Sequence, residues 1–284
     1  MEAPVLILGG GLMGLAVAHA LARRGRAVRV LSRRRSEAAG FVAAGMLAPH
    51  AEGLQGSLLQ LGQAGLARIP AWVAAIEADS GLPCGLRPCG IVGPFADAAE
   101  RDAFPTARWG EALERTALDL AVPGLAPRWR SGLLFRADGQ IDNRRRLMRA
   151  LERACVQRGV AFEEGAEVRA LRQRSGRLEG VQLRGADGEE REQPADQAVL
   201  CGGAWSAHLL PALPVFPVKG QMVSLQAPRQ ALGRVLFGPG TYLVPREDGL
   251  VVVGATSEPE AGFAEGLTPA GQRQLQAGLA ALLP

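Results

Sequence analysis

The first fifty residues alternate between apolar runs and glycine-rich or basic breaks. Val5–Leu8 is a short apolar run of the length and composition typical of a buried parallel strand. Apolar residues at helical spacing follow it, Gly25 marks the end of that helix, and residues 27–31 form a second apolar run. The pattern therefore predicts a strand, a helix and a second strand in a parallel unit.

The turn between the first strand and the helix carries the spacing Gly9-x-Gly11-x-x-Gly14. The first glycine permits a tight turn, the second leaves bare backbone for a pyrophosphate, and the third lets the helix pack closely on the strand. Free N–H groups at the helix start also attract an anion. Within a complete strand–helix–strand unit, this spacing favours dinucleotide binding over a glycine-rich loop without a ligand.

The end of the second strand leaves the identity of the dinucleotide open. An acidic residue usually binds the ribose hydroxyls there, whereas this chain has Ser32 followed by Arg33, Arg34 and Arg35. Arginines at this point can accept the additional phosphate of NADP, or they can form a solvated basic turn. These residues alone do not separate the two interpretations.

The middle of the chain continues to mix helical and strand patterns. Residues 54–79 have helical spacing, and Pro70 is expected to divide them into two helices. Residues 81–140 are rich in glycine, proline and short strands, and a helix is predicted from Arg144 to Arg158. The pattern at 166–184 predicts an antiparallel meander.

The last third of the chain is predicted to be rich in strands. Ala198–Leu200 is a short apolar strand that leads into a second glycine turn, residues 201–206, where a returning parallel strand would meet a cofactor. A strand is predicted at 218–223 and a hairpin at 241–255. Thr268 and the proline after it form a good helix start, and leucines recur along the final helix.

Composition excludes several classes of protein. Of 284 residues, 48% are hydrophobic and 21% charged, as in ordinary globular enzymes. The net charge of +4 comes with only 5% aromatic residues, so the arginines are interpreted as solvated faces and no nucleic-acid partner is expected. Four cysteines without C-x-x-C spacing and three scattered histidines predict no metal site. No signal peptide or membrane span is predicted, so a cytoplasmic location is expected.

Five segments of the chain resemble the FAD-dependent amino-acid oxidases of the D-amino-acid oxidase superfamily, and most closely the glycine oxidases of thiamine-thiazole biosynthesis. They appear in the order and roughly the spacing of that family. These segments are GGGLMGL with RRGRAVRVL, AAGMLAPHAE, DGQIDNRRRL, VLCGGAWS, and PVKGQM with TYLVPREDGLVVVGAT.

The resemblance implies an α/β fold in which a Rossmann-like FAD-binding domain is interleaved with a smaller antiparallel α+β substrate domain. It places residues 1–82 and 141–214 in the first domain and residues 83–140 and 215–284 in the second. It also implies oxidation of glycine or a similar small amine or D-amino acid. Hydride passes from Cα to the flavin, oxygen reoxidises the flavin, and imine or glyoxylate, ammonia and hydrogen peroxide are released. The implied partners are the amine and oxygen, without a membrane, and a homo-oligomer is compatible with the family.

The resemblance also implies roles for individual residues. Tyr242 would reach the substrate carboxylate, and Met46 would lie beside the isoalloxazine ring as the second catalytic residue. Cofactor binding is expected of residues in the matching motifs: Gly9, Gly11, Leu12, Met13, Gly14, Ser32, Arg33, Ala43, Ala44, Gly45, Met46, Val168, Gly202, Gly203 and Trp205.

Three departures from the family pattern qualify this interpretation. Ser32 replaces the usual acidic ribose ligand, and Ser257 stands where an apolar residue is common in the pocket lining. The third is that the family continues beyond the last helix with arginine-containing segments, so the chain resembles a C-terminally truncated copy. The apolar face of the final helix is therefore expected to be less covered. Two alternatives stay open: a non-catalytic or degenerate dinucleotide-binding protein, and an NADP-dependent enzyme.

Overall fold

The computed structural model describes residues 3–229 and 231–284, which form two compact units. The first unit contains the described residues up to Ala43, together with Ala74–Cys84 and Asn143–Pro217. The second contains Ala44–Val73, Gly85–Asp142 and Val218–Pro284.

The helices and strands are named in chain order. The helices are α1 (Leu12–Ala22), α2 (Gly56–Ser80), α3 (Ala98–Asp102), α4 (Arg115–Ala121), α5 (Met148–Gln157), α6 (Ser206–Leu209) and α7 (Pro269–Leu282). The strands are β1 (Val5–Leu8), β2 (Val28–Ser32), β3 (Met46–Leu47), β4 (Leu86–Arg87), β5 (Ile91–Phe95), β6 (Glu111–Glu114), β7 (Ser131–Phe135), β8 (Gly139–Ile141), β9 (Ala161–Glu164), β10 (Glu167–Arg174), β11 (Arg177–Arg184), β12 (Glu190–Pro194), β13 (Ala198–Leu200), β14 (Val223–Gln226), β15 (Val235–Gly238), β16 (Thr241–Pro245) and β17 (Leu250–Gly254).

The first unit is built on a parallel sheet of order β13-β1-β2-β9. All four residues of β1 are buried, as the uninterrupted apolar run predicts for a strand covered on both faces. Strands β10, β11 and β12 form a separate antiparallel sheet, which confirms the predicted meander. Gly25 and Gly159 follow α1 and α5 with positive φ, at the helix ends that the sequence predicts.

The second unit contains a seven-stranded sheet of order β14-β17-β16-β15-β5-β7-β6. Its neighbours are antiparallel except for β15 and β5. A small sheet, β3-β8-β4, belongs to the same unit. Together with the parallel sheet of the first unit, these antiparallel sheets confirm the predicted α/β fold class.

Residues 44–73 were grouped by sequence with the flavin-binding segments, whereas the structure places them in the second unit. The reason is strand pairing: β3 is antiparallel to β8, so Met46 lies opposite Gln140 and Leu47 opposite Gly139. The functional labels of the two units stay predictions.

Two local predictions were wrong, and a predicted helix is present but differs in its first turn. Pro70 does not divide the helix, because α2 continues through it and packs on both sides of it, through the buried Leu59 before it and the buried Val73 and Ile76 after it. The helix expected from Arg144 begins as a π-helical turn at Asn143, whose side-chain amide donates to Gly40 O at 2.5 Å. The strand expected at 218–223 begins only at Val223.

The final helix packs two of its leucines into the core of the second unit. Thr268 caps α7 by accepting from the N–H of Gly271, as predicted. Leu275 and Leu282 are 1% and 2% exposed, and the Trp129 indole donates to Ala281 O at 2.9 Å. The helix therefore packs on the sheet of its own unit, and the expectation that its face is less covered than in the family stays a prediction.

No helix within residues 3–229 and 231–284 combines the length and the apolar character needed to cross a bilayer.

An ion cluster of the buried side chains of His19 and Asp79 with the exposed Arg158 joins α1, α2 and the end of α5, and it gives a first prediction. His19 donates to Asp79 at 2.8 Å and Arg158 also donates to this carboxylate, which holds the pKa of Asp79 at about 2. An unfolded aspartate titrates near ~3.9. The resulting stability is complete above about pH 4 and is lost as the pH falls towards the folded pKa.

We expect Asp79→Asn to lower the free energy of unfolding at neutral pH by about 1–3 kcal/mol, because the buried His19 and the exposed Arg158 both lose a charged acceptor. The loss of stability between about pH 4 and pH 2 should become shallower than in the wild type. Urea unfolding across this range measures both effects, with the exposed Asp196→Asn as the matched control. An unchanged acid profile in Asp79→Asn would contradict the assignment.

Candidate active site

The first glycine turn lies at the carboxyl end of β1. Gly9 N donates to Leu31 O at 2.9 Å, which closes the turn against β2. Gly11 precedes α1 in an extended conformation, no side chain caps the helix, and its first turn has no acidic residue. The N–H groups at the start of α1 therefore keep their capacity for an anion.

Gly14 is required by a close backbone approach. A Cβ at this position would lie only 1.9 Å from Gly9 O and 3.3 Å from Ile7 Cγ2. Any side chain would therefore force the turn away from the helix. The third glycine of the motif has the packing role that the sequence predicts.

The second glycine turn adjoins the first. Cys201 N donates to Leu8 O at 2.9 Å, and a Cβ on Gly9 would lie 2.4 Å from Cys201 O. The turn at 201–206 thus follows β13 at the same sheet edge as the turn that follows β1. In open parallel sheets, ligands bind outside the carboxyl ends of the strands. The bare backbone of the two turns fits the pyrophosphate of a dinucleotide.

The end of β2 places Ser32 beside the start of β10 and Arg33 beside Trp205. Ala166 N donates to Ser32 O at 3.1 Å, so the start of β10, with Val168, lies beside Ser32. The Arg33 guanidinium lies 5.4 Å from the centroid of the Trp205 ring. The predicted flavin contacts in this unit stay predictions. They concern Gly9, Gly11, Leu12, Met13, Gly14, Ser32, Arg33, Ala43, Val168, Gly202, Gly203 and Trp205.

The three arginines after β2 are neutralised by carboxylates. Arg33 donates to Glu37 at 2.6 Å, and Arg34 lies 3.1 Å from the same side chain. Arg35 donates through Nε to Glu164 at 2.8 Å. A phosphate would have to displace these carboxylates, so the geometry does not favour the NADP interpretation.

Ala44, Gly45 and Met46 lie in the second unit and are held by a buried arginine. Arg246, 7% exposed, donates through Nη2 to Ala44 O at 2.5 Å and through Nη1 to Gln140 Oε1 at 2.6 Å. Ile141 N donates to Gly45 O at 2.8 Å. The Arg246 guanidinium and the backbone of β8 thus fix the conformation of this segment.

The same segment runs into a buried histidine–aspartate pair. His50 Nδ1 lies 2.6 Å from Asp138 Oδ1, and Asp138 Oδ2 accepts from the backbone N–H of His50 and of Ala51. These contacts join the motifs AAGMLAPHAE and DGQIDNRRRL, which are far apart in sequence. Their joint presence in the chain therefore has a structural reason.

Tyr242, the predicted ligand of the substrate carboxylate, lies half-buried on β16. Burial raises the pKa of its phenol, and the negative charge of Glu52 raises it further. The hydroxyl is therefore a protonated donor at neutral pH. Tyr242 and Met46, the two residues predicted to be catalytic, pack against the same core cluster of the second unit, which includes Ala44, Ala48 and Phe135.

Several residues around Tyr242 and Ala44 were missed by sequence reasoning. Met222 lies 3.2 Å from the Tyr242 hydroxyl, and Gly254 lies under the ring. Glu52 and Arg246 stand in the motifs of the family resemblance, but neither of them was given a role from the sequence. An arginine at the end of an otherwise apolar strand was the one available signal, because the sequence does not show that its side chain is buried. Ser257, the noted departure, is exposed.

The sequence of the chain is similar to those of known proteins. The family model described as "DAO: FAD dependent oxidoreductase" matches residues 4–284. The bifunctional protein ThiO/ThiG of Synechocystis sp. is 43% identical over 262 residues, which cover 89% of this chain and 38% of that protein. The glycine oxidase of Pseudomonas aeruginosa is 29% identical and covers 100% of this chain and 79% of the relative.

The fold of the chain is also similar to that of a solved glycine oxidase structure. The crystal structure of glycine oxidase from Geobacillus kaustophilus has a TM-score of 0.89 and 28% identity, and the match covers 99% of this chain and 78% of that one. This chain spans 38% and 44% of the length of two bifunctional ThiO/ThiG relatives. The predicted resemblance and the predicted cofactor, FAD, are confirmed. The chain belongs to the family of FAD dependent oxidoreductases.

Proposed function

We propose that the chain is the flavin-dependent part of an oxidase that acts on glycine or a similar small amine or D-amino acid. The products would be imine or glyoxylate, ammonia and hydrogen peroxide, and the reaction would serve thiamine-thiazole synthesis. The observation that carries the proposal is the pair of adjoining glycine turns at the carboxyl ends of β1 and β13. The names of the relatives, ThiO/ThiG and glycine oxidase, support the substrate class.

In the first unit, the N–H groups at the start of α1 would bind the pyrophosphate of FAD, and Ser32 would face the ribose in place of a carboxylate. FAD supplies the acceptor for the hydride that leaves the substrate Cα. The chain's own contribution in this unit is to hold and orient the dinucleotide.

In the second unit, the Tyr242 hydroxyl would donate to the substrate carboxylate. Its raised pKa keeps the proton on oxygen, and its present acceptor, the Met222 thioether, is weak and readily exchanged for a carboxylate. If the amine enters neutral, no side-chain base is needed, so catalysis is mainly positioning. Arg246 would fix the Ala44–Met46 segment as part of that positioning.

The proposal is tested with the purified chain. We expect a yellow protein whose melting temperature rises with added FAD but not with NADPH, and peroxide release with glycine, sarcosine or D-alanine. FAD binding without turnover would favour the non-catalytic alternative. Stabilisation by NADPH alone would restore the NADP interpretation.

A second prediction concerns Tyr242→Phe, which removes only the hydroxyl. We expect KM for glycine to rise by about 10-fold or more, because a hydrogen bond to a charged group is lost, with a smaller change in kcat. An unchanged melting temperature serves as the folding control. An unchanged KM would exclude Tyr242 as the carboxylate ligand.

A further inference from the structure

Met222, Gly254 and Tyr242 lie side by side across three neighbouring strands. Val223 pairs with Val253 and Tyr242 pairs with Gly254, so Met222, one residue before Val223, reaches Gly254 from the other side. A Cβ on Gly254 would lie 2.4 Å from the Tyr242 hydroxyl oxygen. The absence of a side chain on Gly254 therefore lets the phenol ring cross the central strand and its hydroxyl donate to Met222 Sδ at 3.2 Å.

The backbone at Met222 is held in place. Gln221 N donates to Thr256 Oγ1 at 2.9 Å, and Thr256 N donates to Gln221 O at 3.1 Å. Gln221 is 3% exposed and its side-chain amide donates to Thr268 Oγ1 at 2.9 Å. The backbone that carries the Met222 side chain is thus fixed beside Tyr242.

A thioether is a weak acceptor and an oxidisable group, whereas a sulfoxide oxygen is a much better acceptor. We propose that Met222 is an oxidation site that controls the Tyr242 hydroxyl, and that hydrogen peroxide is its oxidant. The sulfur lone pair attacks one peroxide oxygen, the O–O bond breaks and an S–O bond forms. Sulfur loses two electrons, and the second oxygen leaves as water with both protons.

The Met222 sulfoxide accepts the Tyr242 hydroxyl more strongly than the thioether does, so the hydroxyl becomes less available to a substrate carboxylate. This consequence rests on the proposed function, in which Tyr242 binds the carboxylate and turnover releases peroxide. Accumulated product would thereby weaken substrate binding, and methionine sulfoxide reductases would reverse the effect.

The other described methionines provide internal references. Met13 is 66% exposed, so it is open to peroxide, and Met148 is fully buried. Tyr242 is the only tyrosine of the chain, so 3-fluorotyrosine labelling gives one fluorine resonance that reports this hydroxyl alone. The experiment treats labelled wild type and Met222→Leu with graded hydrogen peroxide. The oxygen added to each methionine is measured by peptide mass spectrometry, and the fluorine spectrum is recorded in parallel.

In the wild type we expect oxidation of Met222 and a shift of the tyrosine resonance in proportion to it, with reversal by methionine sulfoxide reductases of both stereospecificities. In Met222→Leu, a change of similar volume, Met13 should still be oxidised but the resonance should stay fixed. In wild type that turns over glycine, KM should rise by about 2- to 10-fold, as expected for one additional hydrogen bond to break.

The proposal is overturned if Met222 stays reduced while Met13 is oxidised. It is also overturned if the tyrosine resonance does not shift when Met222 is oxidised, or if the same shift occurs in Met222→Leu. Absence of oxidase turnover would instead contradict the proposed function, since the added peroxide and the fluorine spectrum report on Met222 without it.

Discussion

Replacing Gly14 with alanine is expected to weaken FAD binding strongly and to destabilise the first unit. The new Cβ would lie 1.9 Å from Gly9 O, and the atom in its way belongs to the backbone and cannot rotate aside. The turn must therefore leave the start of α1, where the anion would bind. We expect a loss of about 3 kcal/mol of stability, the upper range for an overpacked site, and FAD affinity at least ~100-fold weaker.

Gly65→Ala is the matched control for this change. Gly65 lies in the interior of α2, is exposed, and has no atom within 4 Å of its virtual Cβ. Alanine there should stabilise the protein by about 0.5–1 kcal/mol and leave FAD binding unchanged. Thermal melts measure the stability of both variants, and FAD titrations measure their affinity for the cofactor. Wild-type FAD affinity in Gly14→Ala would show that the turn is not the cofactor site.

The second large effect is expected for Arg246→Met. The Arg246 guanidinium donates hydrogen bonds to Ala44 O and Gln140 Oε1, and Ala44 and Gln140 are both at least 95% buried. Arg246 Nε also lies 4.0 Å from the Asp142 carboxylate. Methionine fills much of the volume but donates nothing, so two buried acceptors lose a donor and a buried carboxylate loses a nearby positive charge. We expect the free energy of unfolding to fall by about 3–5 kcal/mol.

Two further variants make this result specific. Arg246→Lys keeps the charge but cannot donate through two nitrogens of a planar group, so its loss should be intermediate. Arg273→Met, on the exposed side of α7, should change stability by less than about 0.5 kcal/mol. Urea unfolding measures all three, and equal stabilities of Arg246→Met and Arg273→Met would refute the role of Arg246.

The parts of the fold that follow from neighbouring residues were predictable. Apolar runs with glycines at the turns predict the parallel unit of β1, α1 and β2. The short apolar run before the second glycine turn predicts β13. Arg246 was not recognised, because its partners Gln140 and Ala44 are 106 and 202 positions away in the sequence. A hydrogen bond over such separations leaves no local periodicity.

Two further features could not be read from neighbouring residues. Pro70 is a local helix breaker, but packing of the residues around it outweighs the one hydrogen bond that proline removes. Met46 was grouped with the flavin-binding segments by its motif, whereas a short strand pair places it in the second unit with Gln140. Both features depend on tertiary contacts, which local sequence patterns do not show.

The parallel sheet also has a consequence for the order of folding during synthesis. β1 finds its partner β2 within the first strand–helix–strand unit, but its other partner, β13, is made only when Ala198–Leu200 leave the ribosome. Closing so long a segment costs chain entropy before the strand pair contributes. The nascent chain therefore carries an open glycine turn and one unpaired edge of β1 until Ala198–Leu200 have been made, and the apolar β1 depends on these later residues for protection from association.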